Sequence, residues 1–163
     1  QMTNNIPCPY YFLHKIKNAI KKYDFNIFID LGCGSGRPIN YFNKNFKNKK
    51  FIGFEYFEEQ FSICKKNFKF DKNINIFKKN FLEFDFLIYK PDCYFFNDPI
   101  KNNNIFSNLI KKIINSSITK QNTLLIFVNC DNKILKSFKK IQCIENYQIN
   151  DSRGFSIYCV NNK

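Results

Sequence analysis

The residues whose types and spacing most clearly point to chemistry form one short stretch after an apolar run. An acidic residue is followed by a glycine at every second position, in the order Asp30-x-Gly32-x-Gly34-x-Gly36. Glycine permits a sharp turn and lets the main chain come close to a bound group, because it has no Cβ. The dinucleotide-binding fingerprint G-x-G-x-x-G would require glycine at position 37, and this position is arginine. The stretch therefore predicts close contact with a ligand other than a dinucleotide, or else a plain turn between a strand and a helix.

Two other polar positions also follow apolar runs. Glu55 ends the run FIGFE, 19 positions after Gly36, and an acid at this distance can accept hydrogen bonds from both hydroxyls of a ribose. The triplet Asn97-Asp98-Pro99 follows the run YFF, and an aspartate there could orient or deprotonate a hydroxyl or an amine. Each pattern also has an ordinary interpretation, namely a solvent-facing glutamate before a helix and a simple turn.

The segments that must position these residues alternate between strand and helix patterns. The strand-like apolar runs are residues 26–31, 49–55, 73–80, 92–98 and 122–129. Apolar residues at helical spacing mark residues 10–23, 38–46, 57–68 and 104–118, with a short helix at 132–138. Five strands separated by helices predict a parallel sheet covered on both faces. In such a sheet, ligands bind beyond the carboxyl ends of the strands, which is where all three polar patterns lie.

The last two strand-like runs, residues 141–149 and 154–162, have no helical segment between them. They therefore predict an antiparallel pair that closes the sheet. A length of 163 residues fits a single domain. We expect this domain to consist of an N-terminal helical segment, residues 1–24, and a core, residues 25–163.

The stretch from Asp30 to Gly36 resembles motif I of the class I S-adenosylmethionine-dependent methyltransferases, whose pattern is D/E-x-G-x-G-x-G. Further landmarks occur in the family's order, from about residue 10 to residue 161. The resemblance implies a single Rossmann-like α/β three-layer sandwich, with a mostly parallel seven-stranded sheet whose last strand is antiparallel. It also implies S-adenosylmethionine as the cofactor. The contacts implied at the first two strands are the residues of motif I, including Cys33, and then Glu55 and Tyr56.

The resemblance extends to the segment after the third strand. The family usually has an aspartate there that binds the amino group of adenine. The matching residue in this sequence is Asn80, followed by Phe81, which would stack on the adenine or donate its N–H. Asp85 is the alternative acid if this turn is longer. Both Asn80 and Phe81 are therefore expected to contact the cofactor.

At the end of the fourth strand, the methyl group of the family's cofactor meets the acceptor. The candidate catalytic residues at this point are Asn97, Asp98 and Pro99, and Asn97 is also a candidate cofactor contact. Amino-methyltransferases that act on nucleic-acid bases or glutamine amides carry D/N-P-P-Y/F here, whereas this sequence has Ile100 after a single proline. Methylation of a base nitrogen is therefore less expected.

These features predict an S-adenosylmethionine-dependent methyltransferase, and the leading expectation is transfer to an oxygen or nitrogen of a small-molecule or other compact acceptor. Two alternatives remain open. The positive charge suggests a protein or RNA methyltransferase, and Asn80 in place of the usual acid suggests a non-catalytic binding module. A dinucleotide-dependent oxidoreductase is the least favoured interpretation.

Composition limits the partners. The net charge is +13, yet of the 26 basic residues only Arg37 and Arg153 are arginines, the side chain that best fits phosphates. The lysines are scattered along the chain, so we interpret them as a solvated surface rather than a dedicated nucleic-acid face.

Cysteine usage and hydropathy indicate the expected location. Seven cysteines without a CxxC pair, together with a single histidine, His14, predict free thiols and no metal site. Free thiols suit a reducing cytosol, so we expect a cytoplasmic protein. No apolar run reaches the ~20 residues that span a bilayer, and no membrane span is predicted.

Overall fold

The computed structural model describes residues 6–98, 100–117, 123–130, 132–150 and 153–160. The β-strands are β1 Ile27–Leu31, β2 Lys50–Glu55, β3 Ile74–Lys78, β4 Cys93–Asn97, β5 Leu124–Val128, β6 Ile141–Asn150 and β7 Arg153–Val160. The α-helices are α1 Tyr10–Ile20, α2 Arg37–Asn45, α3 Glu58–Asn67, α4 Phe86–Tyr89, α5 Asn103–Ser116 and α6 Asn132–Leu135, and a 3-10 helix covers Phe81–Glu83. Strands and helices alternate as far as α6, as the sequence predicts.

The strands form a single seven-stranded sheet in the order β3-β2-β1-β4-β5-β7-β6. Strands β1 to β5 pair in parallel, and β7 runs antiparallel to both β5 and β6. The predicted mostly parallel sheet with an antiparallel last strand is therefore confirmed. The strand order reverses between β1 and β4, which are neighbours in the sheet, and ligand sites form at such a reversal.

Helices cover both faces of the sheet. On one face α1 and α2 contribute buried side chains such as Ile16 and Phe42, and on the other face α5 contributes Ile110 and Ile113. The residues of β5 alternate between these two clusters and are all buried, which explains its continuous apolar sequence. Within the described ranges, none of these helices combines the length and the apolar character needed to cross a membrane.

Asp92 aligns the two central strands. Its buried carboxylate accepts hydrogen bonds from the backbone N–H groups of Asn26, at 3.0 Å, and Ile27, at 2.8 Å. Because Asp92 directly precedes β4, these bonds join the amino ends of β1 and β4. The carboxyl ends of both strands, at Leu31 and Asn97, consequently lie at the same end of the sheet.

One region differs from the expectation based on sequence patterns. Residues 81–89, to which those patterns assign no element, contain the 3-10 helix and α4. These elements have three and four residues, too few to produce a helical periodicity in the sequence. In addition, α1 ends at Ile20 rather than Tyr23.

Candidate functional site at the carboxyl end of the sheet

The turn that follows β1 adopts a conformation that favours glycine. Gly32, Gly34 and Gly36 have φ angles of +94°, +53° and +88°, in the left-handed region that other residues adopt only at a cost. The N–H groups of Gly32 and the buried Cys33 both donate to the carbonyl oxygen of Phe54, at 3.0 and 2.8 Å. The main chain at the end of β2 therefore fixes the shape of the turn.

The glycines at the two ends of this turn have different surroundings. A Cβ placed on Gly32 would meet no heavy atom within 4 Å, so the main chain borders open space there. A Cβ placed on Gly36 would collide with the ring of Phe68 and lie 2.9 Å from Sγ of Cys64. Gly36 therefore lets the turn pack against α3, whereas Gly32 lies where a ligand could approach.

Glu55 lies at the end of β2 and faces the same turn. Its buried carboxylate accepts three backbone hydrogen bonds: Oε2 from Gly34 at 2.8 Å, and Oε1 from Tyr56 and Phe57 at 2.8 and 2.9 Å. A carboxylate offers about four lone-pair positions, so one position remains, on Oε2. The main chain thus holds this carboxylate in one orientation, with one acceptor position left. Glu55 can therefore accept from one ribose hydroxyl and not, as its spacing in the sequence suggests, from both, because backbone N–H groups use the other positions.

Asp30, at the end of β1, is a buried carboxylate with an open position. It is 1% exposed, and its Oδ2 has no hydrogen-bond partner among the described residues. Burial, followed by the charge of Glu55, raises the pKa of Asp30 well above its ordinary value. A buried carboxylate without a donor is unfavourable. A ligand that brings a positive charge or a hydrogen-bond donor would therefore stabilise this part of the molecule.

Asn97, at the end of β4, carries a second open position. Its Nδ2 donates to the carbonyl oxygen of Ile6 at 2.6 Å, whereas its Oδ1 is buried and has no partner among the described residues. Only the nitrogen of an amide can donate to a carbonyl, so this bond fixes the orientation of the side chain. The remaining oxygen calls for a donor such as an N–H or O–H group.

Asp98 follows in a left-handed conformation, with a φ angle of +45°. Its N–H donates to the carbonyl oxygen of Val128 at 3.0 Å, which joins the ends of β4 and β5. Burial raises the pKa of Asp98, and the charge of Lys101 opposes this rise. Non-glycine residues in this conformation are uncommon and cluster at functional sites. Pro99, the third predicted catalytic residue, lies outside the described residues.

The segment that precedes α1 covers this part of the site. Nη1 of Arg37 donates to the carbonyl oxygen of Cys8 at 3.3 Å, and the guanidinium carbon lies 5.2 Å from the centre of the Tyr10 ring. Cys8 is buried, and burial raises the pKa of its thiol to about 12, with the charge of Asp30 adding to the rise. The segment therefore runs past Asp30 and Asn97, and Arg37 holds it in position.

The remaining predicted cofactor contacts lie at the ends of β2 and β3. Asn80 caps the 3-10 helix, because its Oδ1 accepts from the N–H of Leu82 at 3.1 Å. The ring of Phe81 is buried in the core, so its main chain is the part that could face a ligand. Tyr56, by contrast, is 56% exposed directly after β2. Asp85, the alternative acid, is also exposed.

Sequence patterns do not identify three residues of this site, namely Ile6, Cys8 and Arg37. Arg37 directly follows the glycine-rich stretch, and this position could have drawn attention to it. Ile6 and Cys8 carry no signal in the sequence, because they act through main-chain carbonyls that tertiary folding brings to the ends of the strands.

The fold is similar to that of solved methyltransferase structures. An RNA methyltransferase from Salinibacter ruber, crystallised with S-adenosyl-L-homocysteine, has a TM-score of 0.71 and 12% identity, with 97% of this chain and 95% of that chain covered. A protein from Clostridium thermocellum assigned as an rRNA methylase has a TM-score of 0.68 and 13% identity, with coverages of 96% and 100%. A protein from Klebsiella pneumoniae assigned as an O-methyltransferase has a TM-score of 0.69 and 10% identity, with coverages of 98% and 84%.

Sequence comparisons add no closer relative. No protein-family model and no curated protein matches the chain. Identities of 10 to 13% establish the fold alone. The Rossmann-like fold that the glycine-rich stretch predicts is therefore confirmed.

Proposed function

We propose that this protein is an S-adenosylmethionine-dependent methyltransferase, with the cofactor along the turn after β1 and the acceptor at the end of β4. The observation that carries the proposal is the buried, unpartnered Oδ2 of Asp30, next to a turn in which Gly32 borders open space. The methionine part of this cofactor has an ammonium group that would satisfy Asp30. The fold shared with a methyltransferase crystallised with S-adenosyl-L-homocysteine supports the same cofactor.

Other groups of the chain have matching roles toward the cofactor. Glu55 would accept a hydrogen bond from a ribose hydroxyl at the open position of Oε2, the other three positions being used by backbone N–H groups. The exposed ring of Tyr56 offers an aromatic face for the adenine. Asn80 and Phe81 remain predicted adenine contacts. Oδ1 of Asn80 accepts one bond from Leu82 and has a second lone pair for the adenine amino group, and Phe81 would contribute its main chain.

The acceptor would be held at the end of β4. When bound, the cofactor supplies a methyl group on a positively charged sulfur that is already reactive, so the protein mainly aligns the reactants. Oδ1 of Asn97 would accept a hydrogen bond from the N–H or O–H of the acceptor, because Nδ2 is committed to Ile6. Asp98 would receive the proton that leaves, and its raised pKa makes it a stronger base. The proposed acceptor atom is therefore an oxygen or nitrogen that carries hydrogen.

A compact acceptor is supported by the cover over β4 and by charge. The segment before α1 is anchored by Asn97 and Arg37, which narrows the approach to the site. Charge at the site is mixed rather than basic. Lys101 acts on Asp98, Arg37 acts on Cys8 together with Asp30, and Glu58 pairs with Lys78. The site therefore lacks the excess of positive charge that would attract a polyanionic acceptor. An RNA or protein acceptor is the second candidate, favoured by the similarity to an RNA methyltransferase.

Two measurements, made one after the other, test this function. Calorimetry with S-adenosyl-L-homocysteine is expected to give saturable one-site binding. Methyl transfer from radiolabelled cofactor into a cell extract is then expected to label the small-molecule fraction. Absence of binding would overturn the proposal. Label in the RNA or protein fraction would show that the acceptor is RNA or protein rather than a small molecule. Binding without any transfer would identify a non-catalytic binding module. If the wild-type protein transfers the methyl group, Asp98→Asn is expected to keep cofactor binding and to lose most of the transfer.

A further inference from the structure

Charge is distributed unevenly along the parallel strands. Between β1 and α4, the segments that lead into strands carry most of the lysines: Lys44, Lys47, Lys49, Lys50, Lys65, Lys66, Lys69 and Lys72. The segments that leave the strands carry most of the acidic residues: Asp30, Glu55, Glu58, Glu59, Glu83 and Asp85. In a parallel sheet these two sets of segments lie at opposite ends. These eight lysines are therefore gathered in space, away from the proposed methyl-transfer site.

Four of these lysines line one groove between α3 and the outer strand β3, which we call the α3–β3 groove. The groove has a volume of about 640 Å³, and its walls include Lys65, Lys66, Lys69 and Lys72. All four side chains are exposed, and none forms an ion pair with a residue that the structure describes. The acidic residue of the groove, Asp71, is engaged by Nδ2 of Asn43 at 2.7 Å and by the N–H of Asn73 at 3.1 Å. Both donors are uncharged, so Asp71 keeps its negative charge. One aspartate against four lysines still leaves the groove with an excess of positive charge.

An exposed aromatic ring adjoins this charge. Phe70 is 89% exposed, and Nζ of Lys69 lies 5.4 Å from the centre of its ring. Phe70 also lies in the short connection between α3 and β3 that carries Lys72. Proteins that bind single-stranded nucleic acids combine a basic groove, which follows the phosphates, with aromatic side chains on which bases stack. The α3–β3 groove supplies the basic part of that arrangement, and Phe70 at its edge, between the groove residues Lys69 and Asp71, supplies the ring.

We propose that the α3–β3 groove binds single-stranded nucleic acid. Other polyanions fit less well. A flat membrane surface cannot follow lysines into a concave groove, and an acidic polypeptide need not supply a planar ring for Phe70 to stack on. The groove and the methyl-transfer site lie toward opposite ends of the parallel strands, so the bound strand is a docking partner and need not be the methyl acceptor. The proposal goes beyond the proposed function and does not depend on it.

The test compares two variants with the same change in charge. In the groove variant, glutamine replaces the four groove lysines: Lys65→Gln, Lys66→Gln, Lys69→Gln and Lys72→Gln. In the control variant, glutamine replaces four exposed lysines outside the groove: Lys111→Gln, Lys112→Gln, Lys139→Gln and Lys140→Gln. Fluorescence anisotropy with a labelled oligouridylate, and with the DNA of matching sequence, measures affinity over a series of salt concentrations. Circular dichroism verifies that both variants fold.

The wild-type protein and the control variant are expected to bind the oligonucleotide with a slope of log affinity against log salt of about −3, since each of four phosphates contributes about 0.7. The groove variant is expected to lose at least about tenfold in affinity and most of this slope. An equal loss in both variants would show diffuse attraction to a basic surface and would overturn the proposal. Binding of phosphatidylserine vesicles without binding of either oligonucleotide would also overturn it.

A second variant, Phe70→Leu, separates stacking from apolar contact. Leucine keeps the apolar surface of this exposed position but lacks the ring, so the expected loss of oligonucleotide affinity is about five- to tenfold. Undiminished affinity, or equally tight binding of polyglutamate, would overturn the assignment to nucleic acid. Binding of S-adenosyl-L-homocysteine is expected to be unchanged in the groove variant, so this proposal and the proposed function can fail separately.

Discussion

The two halves of the proposed site are held in different ways. In the cofactor half, at the ends of β1 and β2, the fixing contacts come from the main chain of adjacent strands. The turn donates to the carbonyl oxygen of Phe54, and Glu55 accepts from Gly34 and from the two residues that follow it. Strand pairing alone brings these groups together, so the cofactor half follows from a local sequence motif and the register of the sheet.

In the acceptor half, at the end of β4, the fixing contacts come from distant parts of the chain. Asn97 is oriented by Ile6, 91 positions away, and Asp98 is bonded to Val128 at the end of β5. These contacts depend on the path of the N-terminal segment and on the packing of neighbouring strands. The cofactor half therefore depends on local strand pairing, whereas the acceptor half depends on long-range packing, and substitutions in the two halves should have different effects.

The largest effect is expected within the turn of the cofactor half, where Gly36→Ala should destabilise the fold more than Gly32→Ala. Both changes place a side chain in a left-handed conformation, which costs about 1–2 kcal/mol. At Gly36 the added Cβ also collides with Phe68 and Cys64, and overpacking adds about 1–3 kcal/mol. Urea denaturation measures both free energies of unfolding. Gly32→Ala is expected to cost less stability and to weaken the binding of S-adenosyl-L-homocysteine. Equal losses of stability in the two variants would contradict the distinction between the two glycines.

In the acceptor half, Asp98→Asn is expected to lower the rate of methyl transfer about 100-fold, as for the loss of a general base, and to leave cofactor affinity unchanged. Because burial raises the pKa of Asp98, the wild-type rate should fall with decreasing pH at a point above the ordinary aspartate range, as the carboxylate becomes protonated. The variant should lack this dependence. Asp24→Asn is the control, because it makes the same change at an exposed aspartate that precedes β1, at the opposite end of the sheet, and it is expected to keep the wild-type pH profile. An identical pH profile in the wild type and Asp98→Asn would rule out the proposed base.

Glu55→Gln tests the cofactor half by removing charge while keeping the length of the side chain. The amide has one acceptor oxygen, so it cannot serve the backbone N–H groups and a ribose hydroxyl together. The affinity for S-adenosyl-L-homocysteine is expected to fall by about 1–3 kcal/mol, the range for losing a hydrogen bond to a charged group. Calorimetry measures this change, with Glu59→Gln on the first turn of α3 as an exposed control. Similar losses in both variants would mean that overall charge, rather than the position of Glu55, matters.

Sequence patterns predict the parts of the molecule that are set by repeated or local rules. Alternating apolar runs give the sheet and its helices, and the spacing from Asp30 to Gly36 gives the turn. The same patterns suggest one purpose for all three glycines, although Gly36 is required for packing against α3. Spacing cannot distinguish these purposes, because the side chains that surround a glycine come from elsewhere in the chain.

The acceptor half is only partly predictable. Asn97 and Asp98 can be identified because they end a strand, but the orientation of the Asn97 amide depends on the carbonyl oxygen of Ile6. Main-chain carbonyls have no sequence signature, so no pattern could have identified Ile6 or Cys8. The same holds for the α3–β3 groove, whose lysines are gathered by the direction of the parallel strands rather than by their order in the sequence.

Asp30→Asn tests whether the charge of the buried Asp30 carboxylate destabilises the protein when no ligand is bound. Burial raises the pKa of Asp30 in the folded state, so its ionisation opposes folding at neutral pH. This penalty shrinks as the pH falls below the folded-state pKa and is gone only below the ordinary aspartate range, where the unfolded chain is protonated as well. The neutral amide should therefore stabilise the ligand-free protein by about 1 kcal/mol or more at neutral pH, and this gain should shrink in acid. Thermal unfolding measures the effect.

The same variant should bind S-adenosyl-L-homocysteine more weakly, because an amide cannot balance the charge of its ammonium group. A gain in stability together with a loss of affinity for S-adenosyl-L-homocysteine would show that Asp30 serves ligand binding at the expense of stability. A loss of stability at neutral pH would instead mean that Asp30 has a structural partner, and the role assigned to its open position would be wrong.

The smallest effect is expected from Arg37→Lys, which keeps the charge but lacks the planar group that reaches both the carbonyl oxygen of Cys8 and the Tyr10 ring. Such contacts contribute about 0.5–1 kcal/mol, so the segment before α1 should open more often. The rate at which Cys8 reacts with a thiol reagent is expected to rise about threefold, with the exposed Cys143 as internal reference. Cofactor affinity should not change, because the bonds that fix the turn after β1 and Glu55 involve neither Arg37 nor this segment. A roughly threefold loss of cofactor affinity, as large as the expected change at Cys8, would show that the two halves are coupled through Arg37. The two halves could then not be treated as separate.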